Sequence, residues 1–544
     1  MTAKTMITKP YTDQQPGTSG LRKKVKIFQQ KNYLENYIQA IFDAIGGIKG
    51  QILVLGGDGR FFNAQAIQTI LKMAAANGCS GLIVGKKGYL STPAASYLIR
   101  KCKAKGGIIL SASHNPGGKD ADFGIKYNIE TGSAAPQSVT DKIFSISKII
   151  TRYKICDLPE IDLTTPGNFF LGDMNIEIID SVKDYAELME QIFDFELIAN
   201  AISKGLDFHF NAMHAVSGEY AIEIFHRRLG VPLGNIKNAQ VLEDFGGGHP
   251  DPTPQNLGSF FNDFITAKVG YDLGGACDGD GDRNLILGRG QYVSPSDSLA
   301  ILLHHANLIN YYKASLYGIA RSMPTSQAVD IVANKLGIPL YETPTGWKFF
   351  GNLLDAKKIA FCGEESFGAG SFHVREKDGI WAILFWLHIV AATKKSVNQL
   401  VLEHWHNYGR HYYARYDYEG LDKLKAEFFM AELRTRLPQL MNQQIEEVTI
   451  VAADDFSYYD EQDKSCADKQ GIRIILATGQ RIIYRLSGTG TSGAVLRLYI
   501  EHYETDLACL QLGTQDVLRP FLRIAEKLAK IKALLDKDKP DLIV

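Results

Sequence analysis

The sequence predicts an α/β protein whose last quarter switches to an α+β domain. Two observations lead there. Over the first three-quarters, short apolar runs ended by glycine alternate with amphipathic stretches of helical period, as in strands and helices built onto one sheet. Past residue 409, strand-like runs follow one another with only turns between them, which points to antiparallel pairing.

The elements follow in order. Gln51-Ile52-Leu53-Val54-Leu55 is a strand ended by Gly56-Gly57-Asp58-Gly59, and a helix from Asn63 to Ala75 leads to a second strand, Gly81-Leu82-Ile83-Val84. Thr92-Pro93 opens the next helix, with threonine as N-cap and proline at the first helical position. That helix ends at Lys105-Gly106-Gly107, and Ile108-Ile109-Leu110 then runs into a loop. In the middle, Leu206 to Phe210 reads as strand and Gly218 to Leu229 as helix, and Val269-Gly270-Tyr271-Asp272 approaches a glycine-rich loop, Gly274 to Gly281. A third round has a strand at Leu316 to Ala320 and helices at Ser326 to Leu336 and Trp347 to Leu354. Its last strand, Lys358-Ile359-Ala360-Phe361, enters Gly363-Glu364-Glu365-Ser366. Each round ends a strand in an unusual polar loop, which is where α/β sheets bind ligands. The last quarter has a helix at Leu421 to Leu437 and strands at 448–451 and 472–476. Strands at 481–486 and 494–500 flank a loop, and Pro520 to Leu535 closes as a helix.

The 544 residues amount to three or four domains at about 150 residues each. Boundaries near 187, 294 and 409 divide the chain into 1–187, 188–294, 295–409 and 410–544. With 45% hydrophobic and 22% charged residues, the chain has the composition of a folded protein, not a disordered one. Lys plus Arg number 59 against 60 Asp plus Glu, so there is no basic excess to attract nucleic acid or an anionic membrane. An anionic ligand must therefore be held by a local cluster. The longest apolar stretch, Gly379 to Ala392, is shorter than the roughly 20 residues a bilayer requires. Met1 to Gln15 lacks the apolar core of a secretory signal, and the seven cysteines are scattered and odd in number. The expectation is a cytoplasmic protein with reduced thiols, no nucleic-acid or membrane partner and no obligate protein partner.

Four loops carry chemistry. Asp278-Gly279-Asp280-Gly281-Asp282-Arg283 alternates carboxylates with glycines, so a tight turn aims all three acids at one point. Without a cation they repel one another, and as ligands they suit a hard, oxygen-seeking ion; magnesium is favoured if phosphate is close. The sixth and twelfth positions are Arg283 and Arg289 where an EF-hand needs glycine and glutamate, which excludes a calcium-sensor loop. Arg485-Leu486-Ser487-Gly488-Thr489-Gly490-Thr491-Ser492-Gly493, followed by Arg497, contains Gly-x-Gly-x-x-Gly but runs into a strand and not a helix, so it is not a dinucleotide fingerprint. It remains a loop of N–H and hydroxyl donors between two arginines able to grip a phosphate, or else an ordinary glycine-rich hairpin. Ser111-Ala112-Ser113-His114-Asn115-Pro116-Gly117-Gly118 follows a buried-looking strand. It reads either as a nucleophile or phosphate carrier beside a histidine, or as plain turn chemistry. Gly363-Glu364-Glu365-Ser366-Phe367-Gly368 suits sugar hydroxyls, or else an acidic helix start. Arg375-Glu376-Lys377-Asp378 and Thr343-Pro344-Thr345-Gly346-Trp347-Lys348 stay open between site and solvated or capping roles.

Taken in order, these loops resemble the α-D-phosphohexomutase family almost end to end. Pro16 to Val25 is similar to the family's N-terminal signature, and the Gly-Glu-Glu-Ser-Phe-Gly form resembles the glucose-directed branch. The resemblance implies three similar α/β domains with mixed sheets and an α+β fourth domain around a central cleft. It also implies interconversion of glucose 1-phosphate and glucose 6-phosphate, with glucose 1,6-bisphosphate as intermediate and activator. Ser113 falls at the family's phosphoserine, and Asp278, Asp280 and Asp282, with Ser113, at its Mg²⁺ site. Glu364 and Ser366 match the sugar loop. Arg485, Ser487, Gly488, Thr489, Gly490, Thr491 and Arg497 match the phosphate loop. Thr18, Arg22, Arg283, Thr345, Gly346 and Lys377 match further substrate contacts. Ser113, His114, Lys377 and Arg22 are the expected catalytic set, with the general base open between Lys377 and His114. Asn211 stands where the family would have aspartate, which blurs the subgroup without touching these residues. A mannose- or glucosamine-directed mutase, a metal-dependent phosphatase and a non-catalytic relative are the rivals. Asp282 disfavours the phosphatase, which needs threonine or valine there, and the intact serine, aspartates and arginines disfavour the non-catalytic relative.

Overall fold

The computed structural model describes residues 3–17, 19–266, 270–487 and 493–544. Among them, four larger sheets of seven, five, four and seven strands follow one another along the chain. The first three share one plan. In the first, Ile52–Gly57 runs parallel to Gly81–Tyr89 and Gly106–Leu110, and Gly106–Leu110 then pairs antiparallel with Asp122–Ile129. In the second, Phe208–Asn211 is parallel to Leu273–Cys277, which pairs antiparallel with Asn284–Gly288. In the third, Ile319–Ser322 is parallel to Phe361–Glu364, which pairs antiparallel with Gly368–Ser371. The sheets are mixed, and in each a parallel strand turns back into its antiparallel neighbour through the loop singled out above. The fourth sheet is antiparallel throughout, and its Arg481–Ser487 and Ala494–Glu504 strands flank the glycine-rich loop.

The apolar stretch near residue 380 forms the Gly379–Thr393 helix, buried from Gly379 to Ala391. A helix apolar on every side belongs inside a core, and this one sits in the cluster that joins the first three sheets. Among the described residues no single helix is long and apolar enough to cross a membrane. The fourth sheet keeps its own core around Tyr416, Phe429 and Tyr484.

Several element assignments are corrected. Ser91, not Thr92, caps the Thr92–Lys101 helix, its hydroxyl accepting from the Ala94 N–H; the Thr92 hydroxyl is used elsewhere. Gly274 and Gly275 lie inside a strand, where Cβ atoms would collide with Phe264 and Ile383. They serve close packing and leave the turn to residues 278–283. The Gly218 to Leu229 helix is a short α-helix, Ser217–Ala221, continued by π-helical turns from Ile222 to Arg228. Leu421 ends a strand, and the helix after it is Lys423–Leu440. The closing helix begins at Thr514, contains Pro520 and breaks at Lys530, whose φ is +55°.

Candidate active site

Ser113 has a left-handed backbone, φ +52°, that a non-glycine residue adopts only when its surroundings impose it. Two fully buried side chains impose it here. Arg60 donates through Nε to both oxygens of Asp58, at 3.0 and 2.9 Å, and through Nη2 to the Ser113 carbonyl at 2.7 Å. The Ser111 hydroxyl donates to Asp58 Oδ2 at 2.6 Å and accepts from the Ser113 N–H at 2.7 Å. Both backbone groups of Ser113 are thereby tied to one ion pair. Its hydroxyl points out of the clamp and donates to Asp278 Oδ2 at 2.8 Å. His114 Nδ1 lies 3.4 Å from the Ser113 hydroxyl oxygen. Burial, and then Arg283 and Arg22, push the His114 imidazole well below its ordinary range.

The acidic loop meets this serine because residue 279 is glycine. A Cβ there would stand 2.4 Å from the Ser113 carbonyl oxygen. Asp278, Asp280 and Asp282 are all buried, and one carboxylate oxygen of each lies within 4.8 Å of the others. Asp278 Oδ1 accepts the N–H groups of Asp282 and Arg283, at 3.0 and 3.1 Å, which closes the turn. Burial, and then Asp282 and Asp280, hold the Asp278 carboxyl well above its usual range. Burial alone would do the same to Asp280, but Lys126 at 2.6 Å and the Thr92 hydroxyl at 2.6 Å hold it well below. Asp280 Oδ1 is buried with no hydrogen-bond partner among the described residues, and Asp282 Oδ1 has the Lys377 ammonium at 3.2 Å. Three convergent carboxylates with such unspent oxygens fit a hard divalent cation.

Glu364 ends its strand and accepts the Gly346 N–H at 3.0 Å, which joins the sugar-type loop to the 343–348 turn. Burial pushes its carboxyl up, against the pull of Lys377. The acidic pair therefore lies in a strand-to-strand turn and not at a helix start. Residues 375–378 are no solvated run: all but Lys377 are buried, and Lys377 is nearly so. Arg375 is structural, paired with Asp355 at 2.5 Å. Glu376 accepts from Asn128 at 2.8 Å and is pushed up to about 7 by burial.

Arg485 and Arg497 stand directly opposite each other on neighbouring strands of the fourth sheet. Gly488, Thr489, Gly490 and Thr491, like Thr18, lie outside the described residues. Arg22 sits on the Leu21–Lys24 strand with its Nε buried and without a hydrogen bond among the described residues, and burial lowers its pKa. One cleft is lined by Arg22, Ser113, His114, Asp282, Arg283, Thr345, Gly346, Glu364, Ser366, Lys377, Arg485, Ser487 and Arg497. Asp278 and Asp280 lie beneath its floor. Loops from all four sheets thus open into one space.

Comparison with known proteins bears directly on this arrangement. Family models for phosphoglucomutase/phosphomannomutase α/β/α domains I, II and III match residues 13–154, 183–290 and 295–408, and the model for the phosphoglucomutase-1 C-terminal domain matches 410–541. The chain belongs to the phosphoglucomutase/phosphomannomutase family. It is 54% identical over 540 residues to a phosphoglucomutase of Rhizobium radiobacter, covering 99% of each chain, and 48% identical to that of Emericella nidulans, covering 99% of this chain and all of the relative. The crystal structure of the Paramecium phosphoglucomutase parafusin, in its open form, superposes with a TM-score of 0.91 at 43% identity, covering 100% of this chain and 99% of that one.

Some residues of this phosphohexomutase cleft escaped the sequence reading. Lys126 lies on the Asp122–Ile129 strand, whose Phe123, Ile125 and Tyr127 face the core; the opposite face presents Gly124, Lys126 and Asn128, all buried. A lysine on the polar face of so apolar a strand was the available signal. Asp58 and Arg60 looked like a strand-ending turn, and Asp251, which accepts Arg283 Nη1 at 2.9 Å, had no local pattern at all. Asn211 does the acceptor's part of the expected aspartate, taking the Met213 N–H at 2.9 Å and an Asn238 N–H at 3.1 Å.

Proposed function

We propose that this chain interconverts α-D-glucose 1-phosphate and glucose 6-phosphate, with Ser113 as the phosphoryl carrier. The observation that carries the reading is the serine itself: a hydroxyl fixed by a buried clamp, 2.8 Å from one of three convergent carboxylates, at the floor of a cleft walled by four domains. The four sheets support the division into 1–187, 188–294, 295–409 and 410–544 that assigns one loop to each domain.

Asp278, Asp280 and Asp282 would hold Mg²⁺ together with the phosphorylated Ser113. When bound, the ion supplies Lewis-acid withdrawal of charge from the transferring phosphoryl oxygens. The chain's own residues do the rest. In the forward half-reaction the Oγ–P bond of phospho-Ser113 breaks and a P–O bond forms to the free sugar hydroxyl. That hydroxyl gives its proton to His114, or to Lys377 in its neutral form; the same base passes a proton to the departing Ser113 Oγ, and Asp278 Oδ2 then accepts the hydrogen bond of the restored hydroxyl. Glucose 1,6-bisphosphate then turns over within the cleft, and Ser113 takes back the other phosphate. Arg485 and Arg497 grip whichever phosphate is not reacting, with residues 487–491 supplying further donors, while Arg22 and Arg283 face the reacting one and Thr18 is a further substrate contact. Glu364 and Ser366 hold sugar hydroxyls that are alike in both orientations, Thr345 and Gly346 completing that wall. Closure of the fourth domain excludes water, which would otherwise hydrolyse the phosphoserine. All seven cysteines are free, in keeping with a cytoplasmic enzyme acting on small hexose phosphates.

The decisive experiment pairs intact-mass measurement with glucose 1-phosphate turnover for wild type and Ser113→Ala. The phosphate adduct and nearly all activity vanish together in the variant; full activity there sinks the mechanism. Turnover of glucose, mannose and glucosamine phosphates side by side tests the sugar, and a strong preference for mannose phosphate reverses the choice.

A further inference from the structure

The two phosphate-gripping arginines present an electrostatic problem. Arg485 and Arg497 are direct cross-strand neighbours, and like charges in that position repel. Yet both must be held ready before an anion arrives. The next strand supplies one acid in the same row: Asp417 pairs in register with Arg497 from the other side. Asp417 is 2% exposed, and its Oδ2 lies 3.8 Å from Arg497 Nε, which is buried and makes no hydrogen bond among the described residues. That distance gives attraction in a buried setting without consuming the donors of Arg497.

Asp417 is itself immobilised. Its Oδ1 accepts from Arg415 Nε at 3.0 Å, and its strand is paired on both sides, with Ala494–Glu504 and with Leu542–Ile543. Arg415 in turn exchanges backbone hydrogen bonds with Val544, at 2.8 and 2.9 Å. The cross-strand row Asp417, Arg497, Arg485, taken with Arg415 two residues along the first strand, carries two net positive charges, the complement of a phosphate dianion, with Asp417 between Arg415 and Arg497.

We infer that Asp417 is a positioning residue of the reaction: it aims Arg497 at the non-reacting phosphate and offsets the repulsion between the arginines. This rests on the reading of Arg485 and Arg497 as the phosphate grip. A grip on the non-reacting phosphate acts equally in the ground and transition states, so its loss shows in KM and not in kcat. Asp417→Asn is expected to raise KM for both hexose phosphates about tenfold with kcat within about twofold. The test is a double-mutant cycle with Arg497→Gln. If Asp417 acts through Arg497, the double variant has the KM of Arg497→Gln alone within about twofold; a general structural role makes the two factors multiply. Multiplying factors, or an unchanged KM in Asp417→Asn, overturn the inference. Should Asp417→Asn not fold, Arg415→Gln, which releases Asp417 from its partner, is expected to raise KM less steeply and again only when Arg497 is present. An unchanged KM there is equally fatal. Wild type without mutase activity defeats the functional reading itself, whereas an active wild type with a multiplicative cycle defeats this inference alone.

Discussion

Ser113 combines a strained backbone with a reactive position, and the two can be separated by mutation. At φ +52° a Cβ costs energy that glycine avoids, so Ser113→Gly and Ser113→Ala are both expected to be inactive, with the glycine variant more stable by about 1 kcal/mol in urea unfolding. Equal stability would mean that the clamp holds the backbone without strain. Ser111→Ala tests the clamp from the other side. It leaves the Ser113 N–H buried without its acceptor, which is expected to cost about 1–3 kcal/mol and to lower kcat more than KM. Serine at position 113 was legible in the sequence because its loop follows a strand. The reason it is strained was not, because Asp58 and Arg60 lie some fifty residues away in the chain and meet it only across the sheet.

Among the elements, the hairpin loop from 278 to 283 depends on two glycines for different reasons. At Gly279 there is no room: a Cβ would sit 2.4 Å from the Ser113 carbonyl. At Gly281 the nearest atom to such a Cβ is 3.5 Å away, and the demand is for φ +75°, which asparagine tolerates. Gly279→Ala is therefore expected to lower activity about a hundredfold, by driving the acids off the serine, and Gly281→Asn far less. Assays across Mg²⁺ concentrations would check both; equal losses would contradict this division. The alternation of acids and glycines gave the loop away as a ligand turn, but which glycine answers to space and which to dihedral angle depends on Ser113, from a loop far back in the chain.

In the whole molecule, buried charge sets how the domains hold together. Arg481 donates to the Met323 and Thr325 carbonyls, at 2.9 and 2.6 Å, while Glu501 accepts from Arg481, the Ser326 hydroxyl and the Gln327 N–H. This network ties the fourth domain to the third at the seam about which closure would turn. Removing one partner of a buried pair costs about 3–5 kcal/mol, so Glu501→Gln is expected to lower the fourth domain's unfolding midpoint and produce a separate early transition. A second effect concerns pH. Burial, with His411 next, pushes His404 down to about 3, while an unfolded imidazole protonates near its ordinary value. Lowering pH from about 6.5 therefore protonates the unfolded state first, and stability falls by up to about 1.4 kcal/mol per pH unit from this site until the folded pKa is reached. His404→Gln is expected to flatten that slope in urea midpoints measured between pH 7 and 4.

Periodicity, turn residues and loop chemistry are local, so the alternation of strands and helices, the change of class near residue 409 and the reactive residue types in each loop can be read from the chain alone. Which distant charges keep those loops in place depends on the folded arrangement. Lys126 on Asp280, Asp251 on Arg283 and Asp417 beside Arg497 are pairings of ordinary residues from separate strands and turns. Their energies come from burial and from distances of a few ångströms, quantities that exist only once the chain has folded.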